Sequence, residues 1–156
     1  MATVVADGIE VDLPAGWEIA VDGGADEMGE ASQQVMTPRV HIGNFSLPAR
    51  RGDFGSGAVE RMTAGNVMIC LLEESAEAIG SELYNNPELP VLSVDDFAPE
   101  GMQRPIRGQS GAQAFFHQNG RAFAAYVVMG SHLHRGVLID SVNAVLGSIV
   151  IEEMAG

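Results

Sequence analysis

Polar and apolar residues alternate near the start of the chain. Ile9, Val11 and Leu13 are separated by Glu10 and Asp12, the period of two expected of a sheet with one wet face. Thr3 to Ala6 precede them across Asp7-Gly8, a dipeptide suited to the left-handed backbone of a tight hairpin turn. Pro14 stops this ladder because it has no amide to donate. Trp17, Ile19 and Val21 then resume the alternation as a short strand. Residues 22–34 set Asp22, Asp26, Glu27 and Glu30 among glycines and polar residues and read as a solvated loop. Arg39 to Leu47 predicts another strand, with Val40, Ile42 and Phe45 facing inward. Asn66 to Glu73 is a continuous apolar run bounded by turn residues, the pattern of a central strand buried on both faces.

The last third has the clearest pattern. Ala112 to Gln118 and Arg121 to Gly130 flank Asn119-Gly120, a strong hairpin signal. Leu133, Val137, Leu138, Val142, Val145 and Leu146 recur at helical spacing and predict one apolar face of a helix. Ser131 is placed to cap its start and Gly147 its end, and Ile149 to Ile151 close the chain as a strand. Ala58 to Met62 can make about one helical turn. Residues 75–111 are broken by Pro87, Pro90, Pro99 and Pro105, with Val94 to Phe97 as a small apolar plug. Strands come in runs without regular helices between them, which disfavours a doubly wound nucleotide-binding sheet. The expectation is an α+β fold, with residues 1–156 as a single domain. It is a mostly antiparallel β-sheet packed by a C-terminal amphipathic helix and one or two short helices.

Val11-Asp12-Leu13-Pro14-Ala15-Gly16-Trp17 resembles the "LPxGW" opening of PsbP-like and related bacterial lipoprotein domains. The hairpin at Asn119-Gly120, the helix after it and Ser148-Ile149 resemble the closing part of those domains. Arg51-Gly52-Asp53-Phe54-Gly55-Ser56-Gly57-Ala58-Val59 and Gly120-Arg121-Ala122-Phe123 are similar to segments of uncharacterised actinobacterial proteins. The resemblance implies an antiparallel sheet sandwiched by helices, and binding as the activity. It carries over no catalytic residue, and the chain departs from the lipoprotein members in showing no lipobox or leader.

Composition narrows the classes. The 156 residues are 46% hydrophobic and 19% charged, too apolar for a disordered chain. All eight basic residues are arginine, against 21 acidic ones, for a formal net charge of −13. Phosphate contacts need a positive surplus, so nucleic acid and anionic lipid are disfavoured as partners. The first 36 residues hold eight acidic and no basic side chains. The one cysteine, Cys70, excludes an internal disulfide and a Cys-rich zinc site, and its apolar run marks it as a small core hydrophobe. No secretory signal is visible at the N-terminus, and apolar runs fall short of the ~20 residues of a membrane span. A cytoplasmic location is the expectation.

Few residues are arranged for chemistry. Arg50 and Arg51 lead into Gly52, Gly55 and Gly57; amides of such a loop can form an anion nest, and arginine forks match phosphate or carboxylate oxygens. Arg121 would join them if the hairpin folded over. The competing reading is a turn that needs positive φ at its glycines, because the spacing is neither a dinucleotide fingerprint nor a P-loop. His132 and His134 would share a face on a strand but diverge by ~200° on a helix. Together they supply half of a zinc set, and His41 and His117, on other strands, could join only if the fold converged there. Ser131, His132 and Asp140 assemble a triad only on paper, and Gly108-Gln109-Ser110-Gly111 is a near miss to the nucleophile elbow. Glu73-Glu74 and Asp95-Asp96 are adjacent pairs, which on a strand point to opposite faces. Trp17, Phe115, Phe116, Phe123 and Tyr126 read as sheet core, although alanines opposite large rings can leave an apolar groove. The expected function is a non-catalytic protein-interaction or scaffold domain, with a protein partner or a second copy of the chain and with no cofactor or metal. The alternative is a small-ligand or anion-binding domain using Arg50 to Gly57 and Arg121.

Overall fold

Two antiparallel sheets share one apolar core. The structure is a computed structural model that describes residues 2–6, 8–22, 39–52 and 54–153; the acid-rich stretch after Asp22 and residue 53 of the glycine-rich loop lie outside them. The smaller sheet holds β1 (Ala2–Ala6), β2 (Ile9–Leu13) and β8 (Val150–Ile151) in the order β1-β2-β8. The larger holds β3 (Glu18–Asp22), β4 (Arg39–Gly43), β5 (Val67–Glu74), β6 (Ser110–Gln118) and β7 (Arg121–Met129) in the order β3-β4-β5-β7-β6. One helix, α1 (Arg135–Gly147), joins β7 to β8. The fold is α+β, and among the described residues no helix is long and apolar enough to cross a membrane.

Side-chain parity sorts the larger sheet into two faces. Ile69, Leu71, Phe123 and Val127 point inward, where they meet Ile9, Val11 and Leu13 of the smaller sheet and Leu138, Val142 and Val145 of α1. Met68, Cys70, Tyr126 and Val128 point the other way, under Ala58, Val59, Met62 and Met102. β5 is therefore buried on both faces, as its unbroken apolar run predicts. The cover of the outer face is made of loops and 3-10 turns, one at Val59–Arg61 within the span expected to turn.

The turns follow their residue chemistry. Asn119 and Gly120 have φ of 51° and 77°, the left-handed pair a two-residue hairpin requires. The Asn119 amide also donates to the carbonyl of Ile151, which ties the hairpin to β8. Gly16, at φ 87°, turns the chain from β2 into β3, and the Trp17 amide closes that turn on the Pro14 carbonyl at 3.2 Å.

Two local expectations are corrected. β4 ends at Gly43, because Asn44 leaves the strand and accepts the Val67 amide at 2.8 Å. Phe45 then folds back over Gly43, onto the outer cluster and not into the main core. The helix begins only at Arg135, with His134 at its cap position. Leu133 and Val137 are 90% and 78% exposed, while Leu138, Val142, Val145 and Leu146 form the buried stripe. Ser131 accepts the His134 amide at 3.2 Å, closing the turn before the helix. Gly147 is the last helical residue, not a left-handed cap.

One polar interaction crosses the core. Arg121 and Glu73 pair as a fork, Nε to Oε2 at 2.9 Å and Nη2 to Oε1 at 2.7 Å, with side chains 1% and 7% exposed. The third guanidinium nitrogen donates to the carbonyl of Glu152 at 3.1 Å, and the cation lies 5.3 Å from the centre of the Phe123 ring. Gly8 passes so close that a Cβ there would sit 2.7 Å from Arg121 Nη1. Removing one partner of such a pair strands a buried charge, whereas replacing both with apolar groups can be near neutral. Arg121→Met should thus lower unfolding stability by roughly 3–5 kcal/mol in a urea titration. Arg121→Met combined with Glu73→Leu should recover most of that loss.

Candidate functional site

The glycine-rich loop uses its polar groups on itself. The amide of Gly52 donates to Ser56 O at 2.8 Å and that of Gly55 to Gly52 O at 3.0 Å. The Gly57 amide is held by the Glu60 carboxylate at 2.7 Å, so the chain's own acid occupies the donor an anion would seek. Gly55 and Gly57 have φ of 87° and 95°, which is the turn chemistry proposed as the competing reading. Arg50 is exposed. Arg51 is half-buried and donates from Nε to His41 Nδ1 at 2.8 Å and from Nη1 to the Pro48 carbonyl. The structure gathers Arg50, Arg51, Gly52, Gly55 and Gly57 in one loop over the outer face of the larger sheet. It does not bring Arg121 there, because that guanidinium lies on the inner face against Glu73.

Beneath the loop runs a row of titratable residues. His41 is opposite Cys70 on β4 and β5, and Cys70 is opposite Tyr126 on β5 and β7. All three are buried, at 1%, 0% and 2% exposure. Phe54 sets its ring edge-on to Tyr126 at 5.5 Å, and the Tyr126 hydroxyl accepts the Gln103 amide at 2.8 Å. The loop is the roof of this row, and Cys70 lies wholly buried beneath it.

The other histidines are dispersed. His117 meets the Tyr84 carbonyl at 2.6 Å through Nδ1, and His134 is exposed at the helix start. His132 Nδ1 lies 3.0 Å from Ser110 Oγ, a contact between segments that sequence spacing does not reveal. It has the form of a nucleophile and its base, but Ser110 is 0% exposed, so its hydroxyl is closed to a substrate. Asp140 is exposed on α1, and Ser131 is engaged with His134. Among the described residues no group of three or more His, Cys, Asp or Glu is placed to hold a metal ion.

A different surface is open. A groove of about 540 Å³ lies where the chain passes from β2 to β3, walled by Val4, Leu13, Trp17 and Ile19 and by the Pro14–Gly16 turn. Glu18 is the ionisable residue of its lining, and its carboxylate accepts the Leu47 amide at 3.1 Å. Trp17 and Ile19 are half-buried, packed against the core on one side and lining the groove on the other. The sequence signal for this groove is the Leu13-Pro14-Ala15-Gly16-Trp17 turn: it takes the ring out of the strand ladder and leaves it at the sheet margin.

No known protein family, curated protein or solved structure matches the chain.

Burial of the outer face has a pH consequence. The pKa of Tyr126 is raised above 10.0, first by desolvation and in addition by the nearby Cys70. Tyr84 is raised as well, by desolvation and by Glu74. A raised pKa favours the protonated phenol in the fold, so this stabilisation is complete below pH ~10 and is lost as pH climbs through the native pKa values. Ultraviolet titration of the native protein should show both tyrosines ionising above 10, and titration in urea should return both to about 10.

Proposed function

We propose that this domain is a non-catalytic protein-binding module whose contact surface is the Trp17 groove. A single observation carries the reading: the groove is walled by apolar side chains and lies at the margin of the smaller sheet. The residues best suited to chemistry support it by their engagements, since Arg51, His132, Arg121 and Gly57 all bond within the chain. An apolar floor with an aromatic anchor is the usual centre of a protein contact.

The partner is a protein, with neither nucleic acid nor membrane in the reading, because a net charge of −13 repels both phosphate and anionic headgroups. Cytoplasmic placement belongs to the same proposal: the sequence has one cysteine, so the fold rests on no internal disulfide and needs no oxidising compartment. Likeness to the PsbP-like and actinobacterial proteins is part of it too, supported by the Leu13-Pro14-Ala15-Gly16-Trp17 opening and by the closing hairpin and helix.

Selection of displayed random peptides on the immobilised domain tests the reading. Enriched peptides should bind the wild type and lose at least about tenfold in affinity to Trp17→Ala, as truncation of an aromatic anchor does. Circular dichroism checks that the variant is folded. Failure to enrich any peptide, together with a rise in Tm on adding inorganic phosphate or nucleotides, would replace this reading with anion binding at Arg50 to Gly57.

A further inference from the structure

The two sheets have four outer strands, and three of them are guarded. β6 is bonded near both of its ends: Gly111 and Ala98 exchange amide–carbonyl bonds at 2.9 and 3.2 Å, and the His117 amide donates to Asn86 O at 2.8 Å. Its cover is tight, because a Cβ on Gly101 would fall 2.1 Å from the Gly111 carbonyl oxygen. β3 begins with Glu18, a charge that discourages a further strand. β8 is two residues long. β1 has none of these protections. Ala2-Thr3-Val4-Val5-Ala6 holds no charge and no proline, and among the described residues it pairs with β2 alone. Among the described residues, alternate backbone groups of β1 therefore face outward without a partner strand.

We propose that β1 accepts an extended segment of a partner protein as an added strand, and that alternate side chains of that segment enter the Trp17 groove. This rests on the reading of the groove as a protein-binding surface. Val4 is on the inward face, opposite Val11, and lines the groove. A strand laid along β1 places every second side chain on that same face. The opposite side chains of the partner would run beside Thr3 and Val5, the latter 58% exposed. Five residues of β1 give about 17 Å of edge, long enough for main-chain bonds to supply affinity while the groove selects side chains.

Charge decides between occupants. Glu10 and Asp12 stand on the outward face of β2, and Glu18 on the groove. A second copy of the chain would bring −13 to −13, whereas a segment with apolar alternate residues and lysine or arginine at its ends is attracted. The partner segment is therefore extended, apolar at alternate positions and basic at its flanks.

The probe is a short synthetic peptide alternating valine with threonine between lysine ends, added to the isotopically labelled 156-residue chain. Backbone amides of β1 should exchange at least about tenfold more slowly, and the Trp17 indole signal should move. A peptide N-methylated on alternate amides should bind at least about tenfold more weakly, because it cannot pair with an edge. Glutamate ends or added salt should also weaken binding. Binding that moves Trp17 but ignores N-methylation would overturn strand addition while leaving the groove as a protein-binding surface. Perturbation confined to α1 or to the Arg50–Gly57 loop, with Trp17 silent, would overturn both. Sedimentation showing a dimer that Val4→Glu dissolves would overturn the partner segment in favour of a second copy.

Discussion

The buried fork between Arg121 and Glu73 is the constraint on which the architecture depends. Two opposite charges have been taken out of water, so each requires the other. Glu73 comes from the end of β5 and Arg121 from the start of β7, next to each other in the larger sheet. The free guanidinium nitrogen then reaches the chain just after β8, and Glu152 in turn donates to the carbonyl of Gly8 at 2.8 Å. Register in the large sheet, placement of the small one and the β1–β2 turn are thereby specified at a single point. An apolar contact there would not discriminate between registers in this way.

With the two sheets held in that relation, the faces of the large sheet have different roles. The inner face meets aliphatic residues of β2 and α1 and supplies most of the core. The outer face carries the His41–Cys70–Tyr126 row, closed by a loop whose arginine reaches His41 and whose phenylalanine packs on Tyr126. Two members of that row, His41 and Tyr126, fasten the roof. Among the described residues the small sheet has no such cover at β1, and the proposed binding role rests on this asymmetry.

Local signals were legible wherever neighbouring residues decide the geometry. Asn119-Gly120 specifies its hairpin because both positions need positive φ. The run from Val67 to Leu72 specifies a strand buried on both faces, and Glu73-Glu74 divides as strand parity demands, one inward and one exposed. Reading failed where the decision is made at a distance. Six apolar residues near α1 fit more than one helical face, and the late start at Arg135 leaves Leu133 and Val137 outside. Arg121 could be grouped with Arg50 and Arg51 only while the face of β7 it occupies was unknown. The Ser110–His132 contact and the open margin of β1 depend on which strands become neighbours, and no spacing along the chain encodes that.

The placement of β8 has a consequence for how the molecule comes into being. β2 closes its sheet by pairing Ile9 and Glu10 with Ile151 and Val150, and the Asp12 amide is capped by Ser148 from 136 residues away. Contacts of such separation are slow to form, since loop closure comes before any reward. A nascent chain leaving the ribosome holds β1 and β2 as a lone hairpin, which is marginal by itself, until its last helix and strand have emerged. Completion of the small sheet therefore waits for residues 148–151, and the hydrophobic underside of β2 is the surface that must be shielded in the interval.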